Sequence, residues 1–325
     1  MKYRHCLVLG GRGFLGSHVV EALLRQGTRV RVLDRPLPAG MRIHLPAINP
    51  SMLEVVEGDF TNRKDLEVAI EGCDSCIHLI TTTLPKTSND DMIFDVQTNL
   101  VGTIGLLNAA VQYGLKKVVY LSSGGTVYGK TSEEKIAENH STEPLSSYGI
   151  TKLAVEKYLH VYKTLHGLSS VCLRLSNPYG ERQRIDGAQG AVAVFLGSAM
   201  RDKPIEIWGD GTSIRDYVYV GDVMSAILKA LDYDGLEEVF NIGSGEGQSL
   251  LDIIETIETV IGKPLSVNFR PSRSIDASRN VLDISKARHE LAWSPQITFS
   301  EGIRKMAAWL DDEMSNGSFA DKVVR

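Results

Sequence analysis

Apolar positions along this chain fall into two alternating patterns. Short apolar runs rich in β-branched residues lie at 6–9, 29–33, 53–56, 75–80, 118–122 and 170–175. Helical patterns lie between them, at 17–26, 94–113 and 147–166. The runs predict buried strands and the intervening stretches predict helices. Strand alternating with helix predicts an α/β fold, a doubly wound parallel sheet with right-handed crossovers. Ligands in such sheets sit at the carboxyl ends of the strands.

After Asn177 the regularity breaks. Residues 181–189 are polar and read as a loop, 191–201 as a helix, and 205–208 as a short strand before the turn Gly209-Asp210-Gly211. A strand at 238–242 and helices at 250–261 and 285–291 follow. This is too little for a second doubly wound unit. It predicts a smaller C-terminal α/β substrate domain that closes over the sheet. The expected division is 1–176, with 216–243 returning to it, then 177–215 with 244–312, and a polar tail at 313–325.

With 43% apolar and 23% charged residues, the 325-residue chain has the composition of a soluble globular protein. Its net charge of -5 and lack of a basic run argue against a nucleic-acid partner. No apolar run is long enough to cross a bilayer. The first five residues lead straight into a strand and lack the layout of a signal peptide. Four cysteines make no disulfide framework, so the expected location is the reducing cytoplasm. Cys73 and Cys76 form a C-x-x-C, but they open an apolar run and read as strand residues rather than a redox pair. The eight histidines show no metal-binding spacing, so no metal is expected.

Gly10-Gly11-Arg12-Gly13-Phe14-Leu15-Gly16 directly follows the first strand and opens the first helix. Glycines let the turn close tightly and let a pyrophosphate approach the backbone. The helix N-terminus offers free N–H groups and partial positive charge to the phosphates. Strand before and helix after is the context that a dinucleotide site requires. Asp34 ends the second strand, where an acid accepts both ribose hydroxyls and repels a 2′-phosphate. That favours NAD. Arg35 follows it, and an arginine there could receive such a phosphate. Asp59-Phe60, after the third strand, is placed to meet the edge and face of adenine.

Tyr148 and Lys152 stand at i and i+4 on a helix start, so both side chains share one face. A free tyrosine has a pKa near 10, too high for a base at neutral pH. A nearby ammonium and a positive nicotinamide ring both favour the phenolate. Tyr148 could then take a hydroxyl proton as hydride passes to the cofactor. Tyr113 and Lys117 have the same spacing, but they precede a strand, at the amino end of the sheet. Position chooses Tyr148.

Several motifs recur in order: the glycine turn, Asp59, Ser122-Ser123-Gly124-Gly125-Thr126-Val127-Tyr128-Gly129, Tyr148 with Lys152, Leu173 to Gly180, and Arg215-Asp216-Tyr217-Val218-Tyr219-Val220. Together they resemble the nucleotide-sugar epimerase/dehydratase family of extended short-chain dehydrogenases, over nearly the whole chain. The resemblance implies a Rossmann-type NAD domain. It implies Tyr148 as general base, Lys152 on the nicotinamide ribose, and Leu79 and Asn99 at the cofactor. It implies Asn177 at the substrate phosphates, Arg215 and Arg273 clamping a diphosphate, and a homodimer built from helices 94–113 and 147–166. Asp276 lies in a stretch that departs from the family pattern.

Family members place a catalytic Ser or Thr where this chain has Gly124. Ser123 is the favoured substitute, because two following glycines free the backbone to turn its side chain inward. Thr126 is the rival. The leading activity is 4-epimerisation of a nucleoside-diphosphate sugar through a transient 4-keto sugar. A 4-ketoreductase comes second. A 4,6-dehydratase would need an acidic pair where Gly124-Gly125-Thr126 stands. A non-catalytic NAD sensor would not need the Tyr148/Lys152 pair.

Overall fold

The computed structural model describes residues 2–37, 44–45, 50–187, 189–271 and 278–316. Its first half alternates strand and helix: β1 (His5–Leu9), α1 (Phe14–Arg25), β2 (Arg29–Asp34), β3 (Leu53–Glu57), α2 (Arg63–Ile70), β4 (Ser75–His78), α3 (Met92–Asp95), α4 (Gly102–Gln112), β5 (Lys117–Ser123), α5 (Ser147–His166) and β6 (Ser169–Leu175). The second half holds β7 (Asn177–Tyr179), α6 (Ala191–Met200), β8 (Ile205–Trp208), β9 (Ile214–Tyr219), α7 (Val220–Asp232), β10 (Val239–Ile242), β11 (Gly247–Gln248), α8 (Leu250–Ile261), β12 (Val267–Arg270), β13 (Arg279–Asn280), α9 (Ser285–Glu290) and α10 (Phe299–Ser315).

The central sheet has seven parallel strands in the order β10-β6-β5-β4-β1-β2-β3. Alternation along β1 shows why both faces are covered. Cys6 and Val8 point into one buried layer with Val19 and Val20 of α1. Leu7 and Leu9 point into the other, with Leu66 of α2 and Leu106 of α4. Strands apolar on both faces need helices on both sides. The strand order reverses between β1 and β4, and the carboxyl ends at such a switch point are where ligands of this fold bind.

The smaller unit is built on β9, which pairs with β7, β11 and β13, and on the separate β8–β12 pair. Its own core gathers Tyr179, Phe195, Ile253, Ile303 and Met306. The boundary differs from the sequence expectation. β9 belongs to the small sheet, while α7 and β10 return to the large one. Leu282, Ala287, Leu291 and Trp293 also pack into the first unit's core, against Met224 and Phe240.

The stretch expected as one helix at 94–113 is α3, then a wide π turn at Val96–Val101, then α4. A π turn adds a residue to the helical ladder and is common at functional sites. α2, α7 and α10 fall where the sequence reading named no helix. α10 starts on a reciprocal cap between Thr298 and Glu301 and runs to Ser315, past the expected start of the polar tail. No helix among the described residues is long and apolar enough to cross a membrane. Burial pushes the Cys73 thiol up to about 11 and that of Cys76 well above its ordinary value, the reverse of what a redox pair needs.

Candidate active site

The glycine turn leaves β1 with Gly10 at φ +82°, a backbone angle that favours glycine. A Cβ on Gly16 would lie 2.0 Å from the Gly10 carbonyl oxygen, so only glycine fits where helix and turn meet. No side chain caps the start of α1. Its first N–H groups therefore carry no side-chain acceptor, as a pyrophosphate requires, with Phe14 and Leu15 in the first turn. Leu79 follows β4, and its N–H donates to the Leu9 carbonyl at 3.2 Å.

At the adenosine end, Asp34 accepts from the backbone N–H groups of Arg12 and Arg35, both at 2.9 Å. That fixes its carboxylate at the strand end with lone pairs left for ribose hydroxyls. Arg12 pairs with Glu57 at 2.8 Å and Arg35 with Asp59 at 2.7 Å, so acids already hold both guanidiniums. Phe60 departs from expectation. Its ring is buried in the core against His78 and Gly102 and offers no open face to adenine. These residues suit a dinucleotide with a free 2′-hydroxyl.

Tyr148 is the second residue of α5. The N-cap Ser146 accepts from the Gly149 N–H. Two side chains from the loop after β4 complete the cap. The Ser147 N–H donates to Asn89 Oδ1 at 2.8 Å and the Tyr148 N–H to Ser88 Oγ at 3.1 Å. Lys152, one turn on, donates to the Leu121 carbonyl at 2.8 Å. Its Nζ lies 5.6 Å from the centre of the Tyr148 ring and 4.8 Å from that of Tyr120. Burial pushes the Tyr148 phenol up to about 12, and a hydrogen bond from Ser123 works against that rise. Burial also depresses Lys152 to about 8. In the protein alone desolvation therefore wins, and Tyr148 is a neutral phenol. A further positive charge is needed to make it a base.

Ser123 ends β5 beside the phenol. Ser122 is buried and bonds Glu156, inside the packing between sheet and helix. Thr126 Oγ1 is buried without a hydrogen-bond partner. Gly124 carries no side chain because Leu282 fills the space: a Cβ there would lie 2.6 Å from Leu282 Cδ1. Lys117 opens β5 at the far edge of the sheet, donating to the Tyr233 carbonyl at 2.6 Å and Ser169 Oγ at 3.1 Å. The Tyr113/Lys117 spacing thus falls outside the site.

Asn99 sits in the π turn. It accepts from the Thr82 N–H at 2.9 Å and donates to Thr83 Oγ1 at 3.2 Å and Asp95 Oδ1 at 2.9 Å. Its amide is thus turned toward the loop after β4. On the smaller unit's side, Asn177 donates to the Asp216 carbonyl at 2.9 Å. Arg215 is half-buried on β9, with Nη1 donating to the Ile214 carbonyl at 2.8 Å. Arg273 and Asp276 lie outside the described residues. The sequence reading missed Ser88, Asn89 and Asp95. The only hint was a Ser-Asn-Asp run ahead of a helix, a common capping composition.

Residues 6–243 match the family described as "NAD dependent epimerase/dehydratase family". The chain is 37% identical over 301 residues to a UDP-glucose 4-epimerase of Mycolicibacterium smegmatis, covering 92% of this chain and 96% of that one. It is 36% identical over 303 residues to a dTDP-4-dehydro-6-deoxyglucose reductase of Escherichia coli, covering 92% and 95%. A Thermus thermophilus UDP-glucose 4-epimerase solved in complex with NAD superposes with a TM-score of 0.86 at 36% identity, covering 94% of this chain and 99% of that one. With its glycine turn after β1, Asp34 at the end of β2 and Tyr148 paired with Lys152, the chain belongs to the NAD dependent epimerase/dehydratase family and takes NAD as its cofactor.

Proposed function

We propose that the chain is a 4-epimerase of a nucleoside-diphosphate sugar. The observation that carries this is the grouping of Tyr148, Ser123 and Lys152 at the carboxyl edge of the same sheet that carries the glycine turn. NAD, when bound, supplies a hydride acceptor that can return what it takes, and a positive ring near the phenol. Tyr148 removes the proton of the C4 hydroxyl and gives it back. Ser123 donates to the reacting oxygen while negative charge develops there. Lys152 adds positive charge behind the phenol. Arg215 has the forked geometry that binds diphosphate oxygens in pairs, Asn177 stands beside it, and Arg273 is assigned to the same clamp. The relatives named for UDP-glucose support a uridine diphosphate hexose as the first substrate to try.

The test incubates the protein with UDP-glucose or UDP-galactose, without added cofactor, and follows interconversion by NMR. Protein denatured beforehand should release NAD. A second reading, a 4-ketoreductase, is favoured by the reductase relative at 36% identity. It uses the same side chains. It would instead consume reduced cofactor stoichiometrically with a 4-keto sugar nucleotide, and that result without interconversion would replace the epimerase reading.

We also propose a homodimer through the helical segments 94–113 and 147–166, that is α3, the π turn, α4 and α5. Ile93, Val101, Ile150 and Leu165 expose 71%, 55%, 55% and 69% of their surface there, a run that a second copy would cover. Sedimentation showing a monomer at micromolar concentration would rule this out.

A further inference from the structure

Asp95 closes α3 and is fully buried. Each of its two oxygens is held by two neutral groups. Oδ1 accepts from the Thr83 hydroxyl and from Asn99 Nδ2, the latter at 2.9 Å. Oδ2 accepts from Ser147 Oγ at 2.7 Å and from the Thr151 hydroxyl. The two sides have different addresses. Thr83 and Asn99 belong to the loop after β4 and the π turn, at the cofactor end. Ser147 and Thr151 immediately precede Tyr148 and Lys152 on α5. A buried carboxylate held only by neutral donors is costly, and only full hydrogen bonding makes it tolerable. A neutral amide in its place would accept at one atom only and present an NH2 to the other pair of donors, so the arrangement is built for a carboxylate.

We infer that Asp95 is a positioning residue that joins the cofactor-side loop to the catalytic helix and holds a fixed negative charge beside Tyr148 and Lys152, so that it sets the pH range in which the pair works. The inference rests on the reading of Tyr148 as the base. The groups around this charge are few. On α5, Tyr148 and Lys152 both feel it, and Glu156 stands one turn further on, paired with Arg174 at 2.7 Å. From β5 come Ser123, which stands beside the phenol, and the buried Tyr120. From β4 comes His78, which burial keeps neutral. The hydrogen bonds to Asp95 outweigh its own burial and hold its carboxyl below the ordinary range, so it is charged at neutral pH. A fixed negative charge disfavours the phenolate and favours the ammonium. Removing it should therefore move both groups the same way, to lower pH.

Asp95→Asn keeps the shape but removes the charge. The phenol is titrated in the NAD-loaded enzyme by near-ultraviolet tyrosinate absorbance, with Tyr148→Phe as the blank. The rate of cofactor reduction by UDP-glucose is followed over the same pH range. Both limbs of the profile should shift toward acid by about one pH unit, the order expected for one nearby charge in a partly buried site. Activity at the acid end should rise relative to the parent, which loosened packing would not produce. Asp95→Ser, which leaves room for water, should shift in the same direction. Thr83→Val removes one donor but keeps the charge, and its limbs should not move toward acid. Unmoved limbs in both Asp95 variants, or an equal acid shift in Thr83→Val, overturn the inference while leaving the role of Tyr148 intact. Full turnover by Tyr148→Phe overturns the base assignment and this inference with it.

Discussion

Gly124 stands where the family expects a hydroxyl, and the structure gives that glycine a steric cause. It is not among the residues with positive φ, so the backbone angle does not demand it. A Cβ at this position would lie 2.6 Å from Leu282 Cδ1, 3.0 Å from its Cδ2 and 3.1 Å from the Arg174 carbonyl oxygen. Carbon atoms pack at about 3.5–4.0 Å, so the added atom would intrude by about an ångström. Leu282 cannot simply step aside. It is fully buried, and its N–H donates to Asp216 at 3.2 Å. Asn280 ties the same segment to the Gly124 carbonyl at 3.2 Å. Gly124→Ser should therefore overpack the site, at a cost of about 1–3 kcal/mol, and should not supply a catalytic hydroxyl. Leu282→Ala alone should cost about 2–5 kcal/mol by leaving a cavity. The two changes compete for one space, so the double variant should be more stable than the sum of the singles by about 0.5–3 kcal/mol. Urea unfolding of the parent and the three variants measures all four terms, with the rate of cofactor reduction as a second readout. Additive stabilities, or a Gly124→Ser variant as stable as the parent, would refute the steric account.

Ser123→Ala should slow cofactor reduction about tenfold to a hundredfold, the scale of one lost hydrogen bond to a developing charge. A full rate there with a crippled Thr126→Val would move the role to Thr126. Tyr148→Phe should fold and lose at least about a hundredfold in rate, while Tyr113→Phe stays near parental activity; the opposite pattern relocates the site. Asp34→Ala should weaken the preference for NAD over NADP, because Arg12 and Arg35 remain beside the ribose position; paired dissociation constants decide it, and an unchanged ratio counts against Asp34. His78 is buried with its pKa lowered to about 3 from the ordinary 6.5, by desolvation first and then by Lys152. Its neutral form stabilises the fold fully above pH 6.5, and that stability is lost as pH falls toward 3. The slope should be at most ~1.4 kcal/mol per pH unit, and His78→Gln should flatten it in urea unfolding between these limits.

The glycine turn, the acid ending β2 and the pair on α5 were readable because each signal is short in sequence. A turn between strand and helix, a residue at a strand end, and an i, i+4 spacing are fixed by local backbone geometry alone. The alternation of apolar runs gave the parallel sheet for the same reason. The single helix expected at 94–113 was misread because helical periodicity does not reveal an added residue, and the π turn lies inside that pattern. Phe60 reads as an aromatic at the mouth of the site, yet its ring turns inward because Gly102, on a distant helix, leaves it room.

Sequence by itself determined the parallel α/β sheet, the dinucleotide turn and the identity of the proton-handling tyrosine candidate, all properties of neighbouring residues. Only the tertiary structure decided what surrounds them. Leu282 reaches Gly124 from the far end of the chain and removes the family hydroxyl. Ser88 and Asn89 cap α5 across a long loop. Asp95 gathers Thr83, Asn99, Ser147 and Thr151 round one buried charge. Burial then reverses the simple expectation for Tyr148 and Lys152, pushing the phenol up to about 12 despite the ammonium nearby. Desolvation and packing depend on which distant segments meet, and no local pattern records that meeting.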